Sequence, residues 1–440
     1  MVLLCTMHAA QAADLLDLLQ VALQNDSKYL SSEQKFIADK EGVEQSTADL
    51  LPNVAFQYEF ARKHSEVTES DNLVLSGSSD TYSTKTRAFI VTQSLFDYKR
   101  WARYSQSKIS SDRAQLQYDF SKQELLLRLA ENYFLVLERS DQLDTIQAEK
   151  AEMQKHLDAS KKKQKSGLGS RVDMEDALAR YLNALSKEVE LQSRYIDSQY
   201  GLREVLGVVS GSLARLSKEL DTVLPEPQSP QAWVDMSTKL NLEIQILNLA
   251  FEVAEKEVSA VQSEHAPTLD LVFTSAHVVQ GGSVFGGASR TKNDEIAVQF
   301  NMPLYSGGKT SSKIRQAVAK RESLFYDRND KRRAVERSAQ EAYNRISAAI
   351  IQIDALQQSV NAQQRLLDSK TSGYQVGQNS MLEILDVEQD LSSAQQALTK
   401  ARYDYVLNVL RLKFAAGDLQ ESDLAAVNNW LTGGVVSLQP

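Results

Sequence analysis

Cysteine is nearly absent from this 440-residue chain. The one copy, Cys5, sits in a short apolar opening, and Ala10-Gln11-Ala12 follows it as an A-x-A cleavage pattern. Cleavage after Ala12 is expected, with residues 1–12 as a signal peptide. The mature chain then has no thiol, which excludes disulfides and thiolate metal sites. Long hydrophobic runs are missing too: hydrophobic residues make up 42% of the chain and mean hydropathy is -0.36. A spanning helix needs about 20 consecutive apolar residues, and no such run exists. Basic excess is also lacking. A net charge of -9 argues against a nucleic-acid partner, since a phosphate backbone calls for concentrated Lys and Arg, and none is expected. Beyond the signal peptide, His64, His156, His265 and His277 show no metal-ligand spacing among themselves. G-x-S-x-G, the P-loop and G-x-G-x-x-G are absent. No catalytic residue, metal ligand or cofactor is expected.

Proline and glycine are sparse where it matters. The prolines are Pro52, Pro225, Pro227, Pro230, Pro267, Pro303 and Pro440. Neither Pro nor Gly occurs within 98–166 or 309–372. Proline inside a helix costs about 3 kcal/mol, so both stretches are free to be continuous helices on the order of 100 Å long. Ile346, Ile353, Val360 and Leu367 are seven apart, with Ala349, Leu356 and Gln363 between them. Ile384, Leu391, Leu398, Tyr405 and Leu412 repeat the spacing, with Val387, Ala394 and Ala401 between. A 3.5-residue repeat calls for helices that supercoil around one another. Periodicity alone also fits an ordinary coiled-coil rod.

The chain repeats itself. A shift of 210 aligns 131–207 with 341–417 without a gap. Matches include Tyr133/Tyr343, Asp144/Asp354, Gly167/Gly377, Ser170/Ser380, Asp176/Asp386, Tyr195/Tyr405 and Gly207/Gly417. Lys150 breaks the apolar stripe opposite Val360. Each half is expected to hold a first helix (about 14–49 and 233–264), two short strands, a long helix, a glycine-bearing turn and a return helix. The implied organisation is a first repeat over 13–208, a linker over 209–231, a second repeat over 232–418 and a C-terminal segment over 419–440.

Four segments alternate. In 54–60, Val54, Phe56, Tyr58 and Phe60 share one face; in 269–273, Leu269, Leu271 and Phe273 do. Their partner segments are 88–96 and 296–302, and the connecting loops are expected at 76–80 and 281–294. Period-two alternation marks strands with one wet and one apolar face. A small soluble sheet packed on the helices is one reading. Against it, the helices already use their apolar stripes on one another, and an open sheet leaves raw edges that a bilayer does not tolerate. Strands of about 9–11 residues suit a membrane crossing, but known barrels start at about eight strands. Several copies must therefore pool their strands.

Together these features resemble the TolC-type outer-membrane efflux and secretion proteins. The resemblance covers essentially the whole mature chain. It rests on the duplicated element order and on Met302-Pro303-Leu304-Tyr305-Ser306-Gly307-Gly308 entering the second long helix. Ser94-Leu95-Phe96-Asp97, Gly373-Tyr374-Gln375-Val376-Gly377 and Ala401-Arg402-Tyr403-Asp404-Tyr405 add to it. It implies a mainly α chain with a membrane β-barrel portion, whose homotrimer forms a twelve-stranded barrel and a twelve-helix tunnel. The partners it implies are outer-membrane lipid, a periplasmic adaptor and an inner-membrane ABC or proton-driven transporter. The expected location is the outer membrane of a Gram-negative bacterium, and no enzymatic activity is expected.

Glu383 and Asp386 are three apart, on one helical face, with Asp390 a turn further on. By itself that spacing fits a solvated face. The resemblance makes Glu383 and Asp386 the carboxylate rings of the pore constriction, which favour cations. It makes Tyr374, Asp173 and Asn379, with Val172, the closed-state tether, including a Tyr374–Asp173 hydrogen bond. The family pattern has an arginine where Asn379 stands and a hydroxyl where Val172 stands. Glycine in the turns around Gly167 and Gly377 is first a helix C-terminus device. The resemblance adds adaptor docking at Gly167, Leu168 and Gly377. The lysines of 161–165 suit a helix C-terminus. The competing expectations are a soluble periplasmic coiled-coil adaptor or scaffold without a pore, and a hydrolase with an unrecognised site.

Overall fold

The computed structural model describes residues 14–69, 71, 79–207, 211–217, 220–284, 287–431 and 433–438. The expected signal peptide and residues 76–78 of the first strand loop lie outside these. The elements run α1 (Leu15–Asn25), α2 (Ser27–Ala48), β1 (Asn53–Glu66), β2 (Ser79–Phe96), α3 (Tyr98–Lys165), α4 (Arg171–Leu206) and β3 (Ser212–Arg215). Then come α5 (Pro230–Leu240), α6 (Leu242–Gln262), β4 (Thr268–Gln280), β5 (Ser289–Asn301), α7 (Lys309–Gln375), α8 (Met381–Ala416), α9 (Glu421–Asn428) and β6 (Gly433–Ser437). Two compact units result: one from 1–34, 116–245 and 329–440, the other from 35–115 and 246–328. No helix among the described residues is long and apolar enough to cross a membrane.

The single first helix expected in each half is in fact two. The chain breaks at Asp26 and at Asn241, where ψ swings to 111° and 121°, out of helical geometry. Asp26 accepts the Tyr29 N–H at 2.7 Å and pairs with Arg128 at 2.7 Å. Asn241 accepts from the N–H groups of Glu243 (3.0 Å) and Ile244 (3.3 Å), and donates to the Ala415 carbonyl at 3.0 Å. Each buried polar side chain satisfies donors of the helix that follows it and is held by a neighbouring element. No proline or glycine is needed for the break, which is why the sequence reads as continuous.

The first unit holds the main core. The heptad residues Val136, Leu143, Leu157, Ile346, Ile353, Ile384, Leu391, Leu398, Tyr405 and Leu412 are all buried. Lys150, the interruption in the stripe, pairs with Glu188 at 2.5 Å. Aromatic rings pack within this core, Phe134 lying between Tyr133 and Tyr403. Their polar ends tie down the linker: the Tyr133 hydroxyl donates to the Ala214 carbonyl (2.7 Å), and the Tyr405 hydroxyl to the Val223 carbonyl (2.9 Å). Within the linker, β3 pairs antiparallel with β6 from the C-terminal segment. That partnership had no local signal.

The second unit is a four-stranded antiparallel sheet, order β1-β2-β4-β5, with helical segments that pack through Val258, Val261 and Ala317. The strands are longer than expected, at 14, 18, 13 and 13 residues. Residues 79–80 and 289–294, expected as loop, are hydrogen-bonded strand. They are polar on both faces, so no alternation reveals them.

Candidate functional site

Sheet register gathers the alternating apolar residues on one face. Val54 lies opposite Val91, which lies opposite Phe273, which lies opposite Ile296. Phe56 faces Phe89, with ring centroids 5.0 Å apart, while Leu271 faces Val298 and Leu269 faces Phe300. Tyr58 and Phe60 continue the row on β1. Val54, Ile296 and Phe300 are 67%, 74% and 66% exposed. Further along the same face come Lys85, Arg87, His277 and Lys292, so the apolar band has a charged border. The opposite face carries Gln57, Glu59, Thr92, Asp270, Thr274, Glu295 and Gln299, with Ile90 and Val272 among them. Among the described residues, strands β1 and β5 each pair on one side only. A band of this kind is costly in water, at roughly 25 cal/mol per Å² of apolar surface.

At the other site, the long helices turn back. Helix α3 ends with Gly167 at φ +76°; the Leu168 N–H donates to the Lys163 carbonyl (2.9 Å) and the Gly167 N–H to the Gln164 carbonyl (3.0 Å). Helix α7 ends the same way: Gly377 has φ +80°, Gln378 donates to Gly373 (2.8 Å) and Gly377 to Tyr374 (3.0 Å). Both are left-handed glycine caps that satisfy the last carbonyls. Ser170 and Ser380 then cap the return helices α4 and α8. Leu168, Val172 and Val376, at 85%, 75% and 70% exposed, leave apolar carbon on the turns.

Glu383 is the third residue of α8 and forms a capping box. Its N–H donates to the Ser380 hydroxyl oxygen at 3.3 Å, and its carboxylate accepts the Ser380 N–H at 3.3 Å. The same carboxylate pairs with Lys370. The Lys370 ammonium, and then the Ser380 N–H, hold the Glu383 carboxyl below its ordinary range. One turn on, Asp386 accepts from Arg180 Nη2 at 2.7 Å. Arg180 Nε donates to Asp176 at 3.0 Å, and Nη1 to Gln389 at 3.3 Å. Burial pulls the guanidinium's pKa down, but the bonds to Asp176 and Asp386 outweigh it and raise it.

The expected Tyr374–Asp173 hydrogen bond is not formed. The Tyr374 hydroxyl accepts from Lys163, whose ammonium also lies 4.8 Å from the ring centroid. Asp173 has no side-chain partner among the described residues. It sits exposed in the first turn of α4, where the helix N-terminus favours negative charge. Asn379 stays within its own turn, accepting from Lys370 Nζ at 3.4 Å and donating to the Lys370 carbonyl at 3.3 Å. The cations Lys370 and Arg180 were missed from sequence. For Arg180 a signal existed: it stands four residues after Asp176, the repeat mate of Asp386.

An antiparallel sheet with a bordered, exposed apolar face, together with paired long helices, fits the class of membrane channels. The sequence model of the outer membrane efflux protein family matches residues 18–208 and again 233–418, and the chain belongs to that family. It is 30% identical to the alkaline protease secretion protein AprF of Pseudomonas aeruginosa, over 98% of this chain and 90% of that protein. It is 28% identical to the outer membrane protein TolC of Escherichia coli, over 96% of this chain and 86% of that one. Among solved structures, the Campylobacter jejuni channel CmeC superposes with TM-score 0.80 at 14% identity, covering 97% of this chain and 94% of that one. OprN gives 0.79 at 13%, covering 92% and 90%. The chain is an outer-membrane channel-tunnel for export, and a soluble adaptor without a pore is not supported.

Proposed function

We propose that three copies of this chain pool their sheets into one twelve-stranded barrel and their helices into a tunnel whose turn end is a closable entrance. The observation that carries this reading is the sheet itself: a bordered apolar face with two unpaired edges, β1 and β5. In lipid such edges are tolerated only in a closed barrel, and four strands are too few to close one. Joining β5 of one copy to β1 of the next satisfies every edge.

At the entrance, Glu383 and Asp386 are the constriction carboxylates, and each is restrained by a cation of its own chain. Lys370 and Arg180, rather than the Tyr374–Asp173 contact, hold the turn closed. The exposed Leu168, with Gly167 and Gly377 shaping the turns, is the docking surface for a periplasmic adaptor. Export is driven by an inner-membrane ABC or proton-driven transporter, since this chain shows no nucleotide-binding motif. AprF and PrtF, the latter of Dickeya chrysanthemi and 25% identical, are named for protease secretion, which supports a polypeptide cargo.

Detergent extraction is expected to yield a heat-sensitive trimer that opens channels in planar bilayers. A monomer released by osmotic shock and stable in plain buffer overturns the reading.

A further inference from the structure

Glu152 and His156 stand four residues apart on α3, hence on one face, and Glu388 of α8 meets them from the other helical hairpin. Nε2 of His156 lies 3.1 Å from both carboxylate oxygens of Glu388. One ligand atom from each of the three residues lies within 4.8 Å of the other two. The side chains of His156 and Glu388 are only 17% and 16% exposed. We propose that Glu152, His156 and Glu388 form a binding site for a borderline divalent transition ion, Zn²⁺ foremost, that ties α3 to α8.

The donor set fits such an ion. One imidazole and two carboxylates are ordinary Zn²⁺ ligands at about 2.0–2.2 Å, and three protein ligands leave a fourth position to water. Mg²⁺ and Ca²⁺ favour all-oxygen sets with more ligands. Closing the donors around an ion asks only for rotation of long side chains. Glu152 now pairs with Lys155 at 2.6 Å, but those side chains are 47% and 69% exposed. An ion pair in water of this kind is weak and readily given up.

The duplication shows that the architecture does not require these residues. The 210-residue shift carries Glu152 to Ala362 and His156 to Leu366, and carries Glu388 back to Leu178. The related layer is aliphatic throughout. In this copy three metal-type donors replace it, beside the buried Met153 and Leu157. Sequence spacing hid the set because its third member is 232 residues from His156.

Glu388 is two residues beyond Asp386, so an ion here would fix α8 against α3 next to the Arg180 pair. Binding of the ion does not depend on the entrance reading; its effect on opening does. Two measurements separate them. The first is equilibrium dialysis of the full-length, detergent-extracted protein against Co²⁺, read by its ligand-field absorption, then displaced by Zn²⁺. One ion per chain is expected. Replacing a ligand is expected to weaken binding more than the loss of an outer-shell partner, hence by at least about tenfold in each of His156→Gln, Glu388→Gln and Glu152→Gln. His265→Gln should bind as the wild type does. Failure of the wild type to retain Co²⁺ or Zn²⁺ overturns the site, as does undiminished binding in the folded Gln variants. The second is channel recording with and without Zn²⁺. Zn²⁺ is expected to favour the closed state in wild type and not in His156→Gln; binding without that difference removes the link to opening and leaves the site.

Discussion

Arg180 on α4 donates to Asp386 on α8 at 2.7 Å while its Nε holds Asp176, the residue that the internal repeat maps onto Asp386. Two carboxylates related by duplication thus share one guanidinium. A constriction of bare carboxylates repels itself and needs tethers from elsewhere. In the constriction proposed above, each acidic residue would carry its tether with it, since Asp386 pairs with Arg180 and Glu383 with Lys370.

The first prediction separates tether from charge. Arg180→Ala removes a tie and leaves Asp386 bare; Asp386→Ala removes the same tie together with the charge. Both are expected to raise single-channel conductance in planar bilayers. Block by divalent cations should strengthen in Arg180→Ala and not in Asp386→Ala. An exposed pair contributes up to about 1 kcal/mol, so three copies shift the closed-to-open balance by up to about 100-fold. Identical block in the two variants would remove Arg180 from the role assigned to it.

Glu383 has two tasks, and two substitutions divide them. Gln at this position preserves the capping box with Ser380 but cancels the pair with Lys370. Ala removes the pair and also the half of the box in which the carboxylate accepts the Ser380 N–H, at a further cost of about 0.5–1.5 kcal/mol to the start of α8. Glu383→Gln is expected to loosen closure with native thermal stability, whereas Glu383→Ala lowers the temperature at which the assembly dissociates. Calorimetry beside conductance measurements reads both. Equal melting temperatures for the two variants would show that the cap is dispensable.

Much of this was legible from residue order, because its causes are local. The heptads at Ile346, Ile353, Leu391 and Leu398 bury as their spacing demands, and the alternation of Val54, Phe56, Tyr58 and Phe60 sets the apolar face. What stayed hidden has non-local causes. Asp26 and Asn241 end helices by capping the next one while Arg128 and Ala415 hold them in place, and neither partner is near in sequence. The polar residues 289–294 form strand because β4 runs beside them. Lys163 takes Tyr374 from Asp173 across 211 residues. The pairing of β3 with β6 joins the linker in the middle of the chain to the C-terminal segment.

The faces of the sheet make opposite predictions for the same substitution. Val298→Arg places a cation in the apolar band, which at a bilayer midplane costs about 2–4 kcal/mol. Gln299→Arg, on the next residue and the other face, should be tolerated. The amount of heat-sensitive trimer in outer-membrane fractions is expected to fall sharply for the first and hold for the second. Equal levels would mean that the band does not face lipid.

A last prediction concerns acid. Glu264, just before β4, accepts from Lys313 at 2.8 Å and from Lys99 at 2.6 Å, joining the N-terminal ends of α7 and α3. The hydrogen bond from Lys313, then that from Lys99, pull its carboxyl from 4.5 down to about 2. A carboxyl lowered by folding adds stability that is fully present above its unfolded value and disappears as pH falls through the folded one. The contribution of Glu264 should therefore be constant above about pH 5 and fade between pH 4.5 and about 2. Glu264→Gln keeps shape and removes the charge. Its thermal stability is expected to lie below that of wild type at pH 7, and the gap should close as pH is lowered through that window. A gap that persists at pH 2 would assign the loss to packing rather than to the two ammonium groups, and would free α3 and α7 from this electrostatic link.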